Sequence, residues 1–265
     1  MESFWPTILT VSGLLALLLA LYSFVVYFFR LSFLSIAVSH AVLAGLALGV
    51  VTGLDPTAAA LVFSVAVGWL VAFLRRRVGL TEDASVGIVL ALSMAVGIIL
   101  IYLSSHRGNV FAYLFGSLTT VSTADGVVLF FLLLVSAFLA YRYKDQVLFL
   151  CFDEETAYST GIRTGVLYYS MVALLAFLIT YATKLVGILL THAMLVVPTA
   201  AAYQLVWHYG KLLLLSGGVS LASTYGGLAL AYLLDLPTGP SIVLTGGGIF
   251  LLFSLLGFLK RKRGR

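Results

Sequence analysis

FDEETAYSTGI, Phe152 to Ile162, is a polar island in an apolar chain. Asp153, Glu154 and Glu155 stand together, Ala157 follows, and Gly161 closes the stretch. Acids in a first turn complement the positive end of a helix, and a glycine past the last turn takes the left-handed conformation that ends one. The stretch therefore reads as one short, capped surface helix. On both sides lie apolar segments long enough to cross a bilayer, which takes about 20 residues for a hydrocarbon core of about 30 Å. A membrane protein that displays such a helix on one face presents a docking element there.

Composition agrees with the class. Of 265 residues, 62% are hydrophobic and 9% charged, against about 25% charged in a soluble domain. The N-terminus carries Glu2 in place of a basic region and has no small-residue cleavage site, so the first segment is expected to stay as a span. With one cysteine, Cys151, neither an intrachain disulfide nor a cysteine metal cluster can form. The formal charge of +5 comes largely from Lys and Arg flanking the apolar segments and does not imply nucleic acid.

Nine apolar segments are legible, near 7–29, 32–53, 57–74, 84–104, 127–141, 165–183, 185–206, 212–234 and 240–259. The joint between the sixth and seventh rests on Lys184 and on length. The run 110–122 is too short to cross and reads as an outer-face or re-entrant segment. If every segment spans and the N-terminus is outside, all of the 15 basic residues except Arg107 and Lys184 fall on one face. The positive-inside rule makes that face cytoplasmic, and the 152–162 helix lies on it. The expected fold is an all-α polytopic bundle of eight to nine spans, forming one membrane domain over 1–265 in the cell membrane, with the C-terminus cytoplasmic.

Several segments resemble, in order, the zinc/manganese/iron permease family of ABC importers. The E-x-A-x-x-x-G spacing of Glu155, Ala157 and Gly161 is similar to the coupling-helix motif of ABC-importer permeases. RLSFLSIAVSHAVLAGLALG from Arg30, TEDASVGI from Thr81, YLFGSL from Tyr113, KLVGILLTHAMLVVPTAAA from Lys184 and DLPTGPSIVL from Asp235 resemble successive elements of that family. The resemblance implies a homodimer, two cytoplasmic ABC ATPase subunits, an extracellular metal-binding protein and a transported divalent metal, with no permanently bound cofactor. It also implies an Asp four residues before His40, where this chain has Ile36. Losing a carboxylate weakens Mn²⁺ most, because Zn²⁺ accepts imidazole well.

The residues themselves supply a short set of candidates. His40 and His192 lie near the middles of their segments, where ionisable groups are costly and mark pathways by default. The bland alternative is a hydrogen bond to a neighbouring helix. Asp153, Glu154, Glu155, Ala157 and Gly161 are expected to couple to the ATPase, with Glu155 and Ala157 facing it. Glu82 and Asp83 open the fourth span, either as charges on the helix dipole or as a gate or ATPase contact. Gly45-x-x-x-Gly49 permits close helix packing, and Pro198 should kink its span. The tail KRKRGR is a topology anchor that also meets anionic lipid. No G-x-x-x-x-G-K-[ST], H-E-x-x-H or G-x-S-x-G motif is present, so ATP hydrolysis belongs to another chain. The expected function is the permease of an importer for a divalent transition metal, zinc or manganese. A secondary transporter or channel without an ATPase, and an intramembrane enzyme with His-bound zinc, are the alternatives; the first leaves the acidic helix unused and the second lacks a nearby carboxylate.

Overall fold

The computed structural model describes residues 4–103 and 121–263. His106 to Asn109, the Tyr113–Leu118 element and most of the 110–122 run lie outside the described residues. Among those described, the chain is helical and has no strand. Five long helices come first: α1 (Phe4–Phe28), α2 (Ser32–Thr52), α3 (Pro56–Phe73), α4 (Glu82–Leu103) and α5 (Thr123–Arg142). Then come α6 (Lys144–Phe152), α7 (Glu154–Ser159), α8 (Thr164–Tyr203), α9 (Tyr209–Leu234) and α10 (Thr238–Arg263). Eight of these are long and apolar enough to cross a membrane. Helices α6 and α7 are the short ones. The sequence reading anticipated α7; α6 precedes it because Val147 to Cys151 form an apolar turn that buries Leu150.

Helix α8 has 40 residues. At about 1.5 Å per residue a continuous helix of that length would span about 60 Å, twice a hydrocarbon core. It is not continuous: Gly187 sits at φ 83° and ψ 168°, outside helical space. Only glycine adopts that region without strain. The sequence placed this joint at Lys184, and the structure moves it three residues on. A lysine marks polarity, but the backbone breaks where a residue lacks a Cβ.

The helices group into two compact units. One contains α2, α3, α4, α6, α7 and α8 as far as Ile188. There α2 and α3 meet backbone to backbone. A Cβ on Gly45 would lie 2.5 Å from Ala60 Cα, and one on Gly49 would lie 2.6 Å from Pro56 Cα. Asp55 caps α3 by accepting from Ala58 N at 2.7 Å, with Pro56 at the first helical position. Ser64 and Thr180 share a buried hydroxyl contact of 2.6 Å between α3 and α8.

The other unit contains α1, α5, the rest of α8, α9 and α10. Hydroxyls hold it together: Thr199 N donates to Ser23 Oγ at 3.2 Å, and Ser220 Oγ donates to Ala16 O at 2.7 Å. Such bonds are worth about 0.6–2 kcal/mol between membrane helices. Burial separates helices of similar hydropathy. In the most apolar stretch of α2, 67% of residues are buried, against 11% in α5 and 17% in α10. Helices that are apolar all round and exposed suit a hydrocarbon surrounding.

Candidate functional site

Helix α7 is closed at both ends by its own sequence. At its start Asp153 Oδ1 accepts from Thr156 N at 3.0 Å, and Thr156 Oγ1 donates to Asp153 Oδ2. The Thr156 hydroxyl, then its amide, holds the Asp153 carboxyl below the usual carboxylate range. At its end Gly161 takes φ 87°. Gly161 N donates to Tyr158 O at 3.0 Å and Ile162 N donates to Ala157 O at 3.2 Å. These two bonds make a Schellman motif, which satisfies carbonyls that the helix leaves over.

The sides of α7 differ. Phe152, Glu155, Tyr158 and Thr160 are exposed, and Ala157 is fully buried. Ala157 therefore faces its own chain, contrary to the expectation that it faces a partner. The small residue serves close approach inside the molecule, and Glu155 alone of that expected pair points outward. Burial also pushes the Cys151 thiol up to about 11, so it stays protonated at neutral pH.

Glu154 does not face outward freely either. Its Oε1 lies 2.6 Å from Arg76 Nη2. Arg76 belongs to a π-helical turn, Leu74–Val78, that extends α3. The same Nη2 donates to Thr164 Oγ1 at 3.3 Å, at the first residue of α8. Neighbouring Arg75 donates from Nη1 to the Tyr168 hydroxyl at 2.8 Å and lies 3.5 Å from Glu82 Oε2, at the first residue of α4. Both guanidinium groups sit beside the Tyr168 ring, 5.2 and 5.3 Å from its centroid. That is within cation–π reach. Tyr168 is buried.

Glu82 is thus an ion-pair partner of Arg75, while Asp83 is exposed. The side-chain cap of α4 comes from Thr81, whose Oγ1 accepts from Ala84 N at 3.3 Å. Sequence reasoning used Arg75 and Arg76 only as topology markers and did not single out Tyr168. Their hydrogen-bond partners on α8, Tyr168 and Thr164, are 93 and 88 positions away, beyond any local pattern.

His40 lies on α2, half-buried, with Ile36 one turn earlier and also half-buried. His192 lies on α8 beyond the Gly187 break and is half-buried. The two belong to different compact units. Among the described residues no three of His, Cys, Asp and Glu converge as a metal-holding group. A pocket that starts two residues beyond His40 on α2 is lined by Val42, Leu46, Thr57, Thr180, Thr183 and Lys184. An ammonium at that lining makes it a poor cation site.

A family profile described as the ABC 3 transport family matches residues 1–257. The chain belongs to that family. Among its relatives, the manganese import system permease protein ScaB of Streptococcus parasanguinis is 30% identical over 236 residues, 88% of this chain and 83% of that protein. The manganese transport system membrane protein MntC of Listeria innocua is 30% identical over 83% of this chain and 79% of its own length. The solved structure of PsaBC from Streptococcus pneumoniae in complex with Fab is similar with a TM-score of 0.82 and 27% identity, covering 94% of this chain and 90% of that one. The family assignment makes the chain a multi-pass membrane permease.

Proposed function

We propose that the chain is the membrane-spanning permease of an ABC importer that moves a divalent transition-metal ion into the cytoplasm. The observation that carries this reading is α7: a short helix capped at both ends, tied by ion pair to the long helices, with Phe152, Glu155 and Tyr158 left exposed. That arrangement suits a surface pushed by a partner, and a cytoplasmic ATPase is the partner such a family member needs. A homodimer, an external binding protein that delivers the metal, and anionic lipid around the basic tail complete the proposed assembly. The metal is the substrate, and nothing in the reading requires a resident cofactor.

The ABC 3 relatives ScaB and MntC are named for manganese, and one of Haemophilus influenzae is named a probable iron transport system membrane protein at 27% identity. A second reading, zinc, is favoured by Ile36, which leaves His40 without an oxygen ligand one turn away. His40 and His192 would then be passing stations, since a site on a transport path must release what it binds.

Orientation follows the basic residues: N-terminus outside, α7 and the C-terminus cytoplasmic. Labelling of a cysteine at position 155 in a Cys151→Ser background checks it, and labelling from outside would reverse the assignment. The function itself is tested by isotope uptake of manganese and zinc into proteoliposomes holding the chain with its ATPase and binding protein. ATP-dependent uptake is expected, and ATP-independent uptake would favour the secondary-transporter alternative.

A further inference from the structure

We propose that Arg76 is a positioning residue for coupling: by gripping Glu154 and Thr164 it fixes α7 to the ends of α3 and α8, so that a push on α7 moves both long helices. The inference rests on the reading of α7 as the helix on which the ATPase docks.

Helix α7 has six residues. A helix that short has no stability of its own and transmits force only if its surroundings hold it. Its caps are local: Asp153 and Gly161 shape the helix without tying it to anything distant. Two features do tie it down, the burial of Ala157 and the contact of Glu154 with Arg76.

Arg76 stands at a junction. One nitrogen, Nη2, reaches Glu154 at 2.6 Å and Thr164 at 3.3 Å, so α7 and the start of α8 share a donor on the end of α3. Its guanidinium lies beside the Tyr168 ring, and Tyr168 also holds Arg75, which pairs with Glu82 of α4. The network is continuous from α4 through the π-turn to α7 and α8. The other nitrogen, Nη1, is buried and has no hydrogen-bond partner. Losing Glu154 would therefore leave the cation with one hydroxyl and the Tyr168 ring, and no anion, in a place where it is 20% exposed. A planar guanidinium suits two partners and a ring at once, and an ammonium does not.

The experiment uses the complete complex with its ATPase and binding protein in proteoliposomes, measuring manganese and zinc taken up per ATP hydrolysed. Arg76→Ala and Glu154→Gln are each expected to lower that ratio about tenfold, the size of an ordinary coupling free energy between sites. Glu154→Gln keeps the shape of a half-exposed side chain, so it stands in if Arg76→Ala fails to fold. The exchanged pair, Arg76→Glu with Glu154→Arg, is expected to recover at least half of the ratio. A merely structural role would reduce the amount of assembled complex and leave the ratio alone. An unchanged ratio in Glu154→Gln, or an exchanged pair as poor as the single variants, overturns the proposal. Absence of ATP-driven uptake in the unmodified complex overturns the functional reading instead, so the two failures are distinguishable.

Discussion

Within one compact unit, two regions are held in opposite ways. The α2–α3 pair, which carries His40, closes through Gly45 and Gly49 against the backbones of Ala60 and Pro56. The other end, where α3, α4, α7 and α8 meet, closes through Arg75, Arg76, Glu82, Glu154 and Tyr168. Backbone approach is stiff, insensitive to salt, and intolerant of added atoms. Partly exposed ion pairs are worth about 0–1 kcal/mol each and weaken as salt rises. A transporter has use for both: a rigid frame from backbone approach, and a polar junction that ties α7 to α3 and α8 through several weak contacts acting together.

The largest effect tests the rigid half. Gly45→Leu or Gly49→Val would drive a side chain into backbone atoms that cannot move aside. Overpacking costs about 1–3 kcal/mol and more where the neighbour is fixed, so about 3 kcal/mol or more is expected. Thermal unfolding of the purified protein in detergent or lipid measures it. A melting temperature unchanged from the parent would show that α2 and α3 are farther apart than these contacts require. By contrast, Gly247→Ala, where nothing lies within 4 Å, should be silent in the same assay.

Next comes His40, on the rigid half but polar. His40→Ala is expected to lower metal uptake by roughly 10–100-fold, the scale seen when support of a metal ligand is lost, with assembly intact. Ile36→Asp should shift the manganese-to-zinc ratio toward manganese, because it adds an oxygen ligand one helical turn from the imidazole. Parental uptake by His40→Ala would return that residue to a packing role. A manganese preference in the parent would remove the argument from Ile36 and leave the family assignment untouched.

What the sequence made legible follows the same division. Apolar runs place the spans, because hydrocarbon thickness dictates their length. Asp153 and Gly161 announce the two ends of α7, because capping is decided within four residues. The Gly45-x-x-x-Gly49 spacing foretells the tight pair for an equally local reason. The Arg76–Glu154 pair is not legible, because nothing in either neighbourhood names the other. The break at Gly187 is masked by nearby Lys184, since a charge in an apolar run is more conspicuous than a glycine. The side that Ala157 faces is not legible, because a small residue signals close approach without saying to what. Burial differences such as α2 against α5 are invisible to hydropathy, which measures suitability for lipid and not contact with it.

The third effect concerns α7 itself. Ala157→Trp adds a large ring where Ala157 is fully buried, and Gly161→Val puts a branched Cβ at φ 87°. The second costs about 1–2 kcal/mol for the left-handed backbone alone. Both should loosen the 153–163 segment and lower uptake per ATP. Limited proteolysis reads the loosening directly, with Gly165→Ala, whose Cβ would meet nothing, as control. A segment as resistant as the parent in both variants would show that the caps and the buried alanine do not hold it.

The smallest effect separates the cap from the ion pair. The Asp153 carboxyl is held below its ordinary range by the Thr156 hydroxyl and amide. A carboxylate with a depressed folded pKa contributes stability fully present above its unfolded value, about 3.9, and lost as pH falls through the folded one. The Thr156 amide should therefore keep its protection from hydrogen exchange down to that range and lose it only below. Asp153→Asn, which accepts the same bond without titrating, should show no such pH step. Raising salt at neutral pH should do the reverse: it weakens Arg76–Glu154 and lowers uptake per ATP, while the short-range cap at Asp153 persists. Loss of Thr156 protection at high salt would mean that the cap depends on the ion pair, and the two would then count as one device.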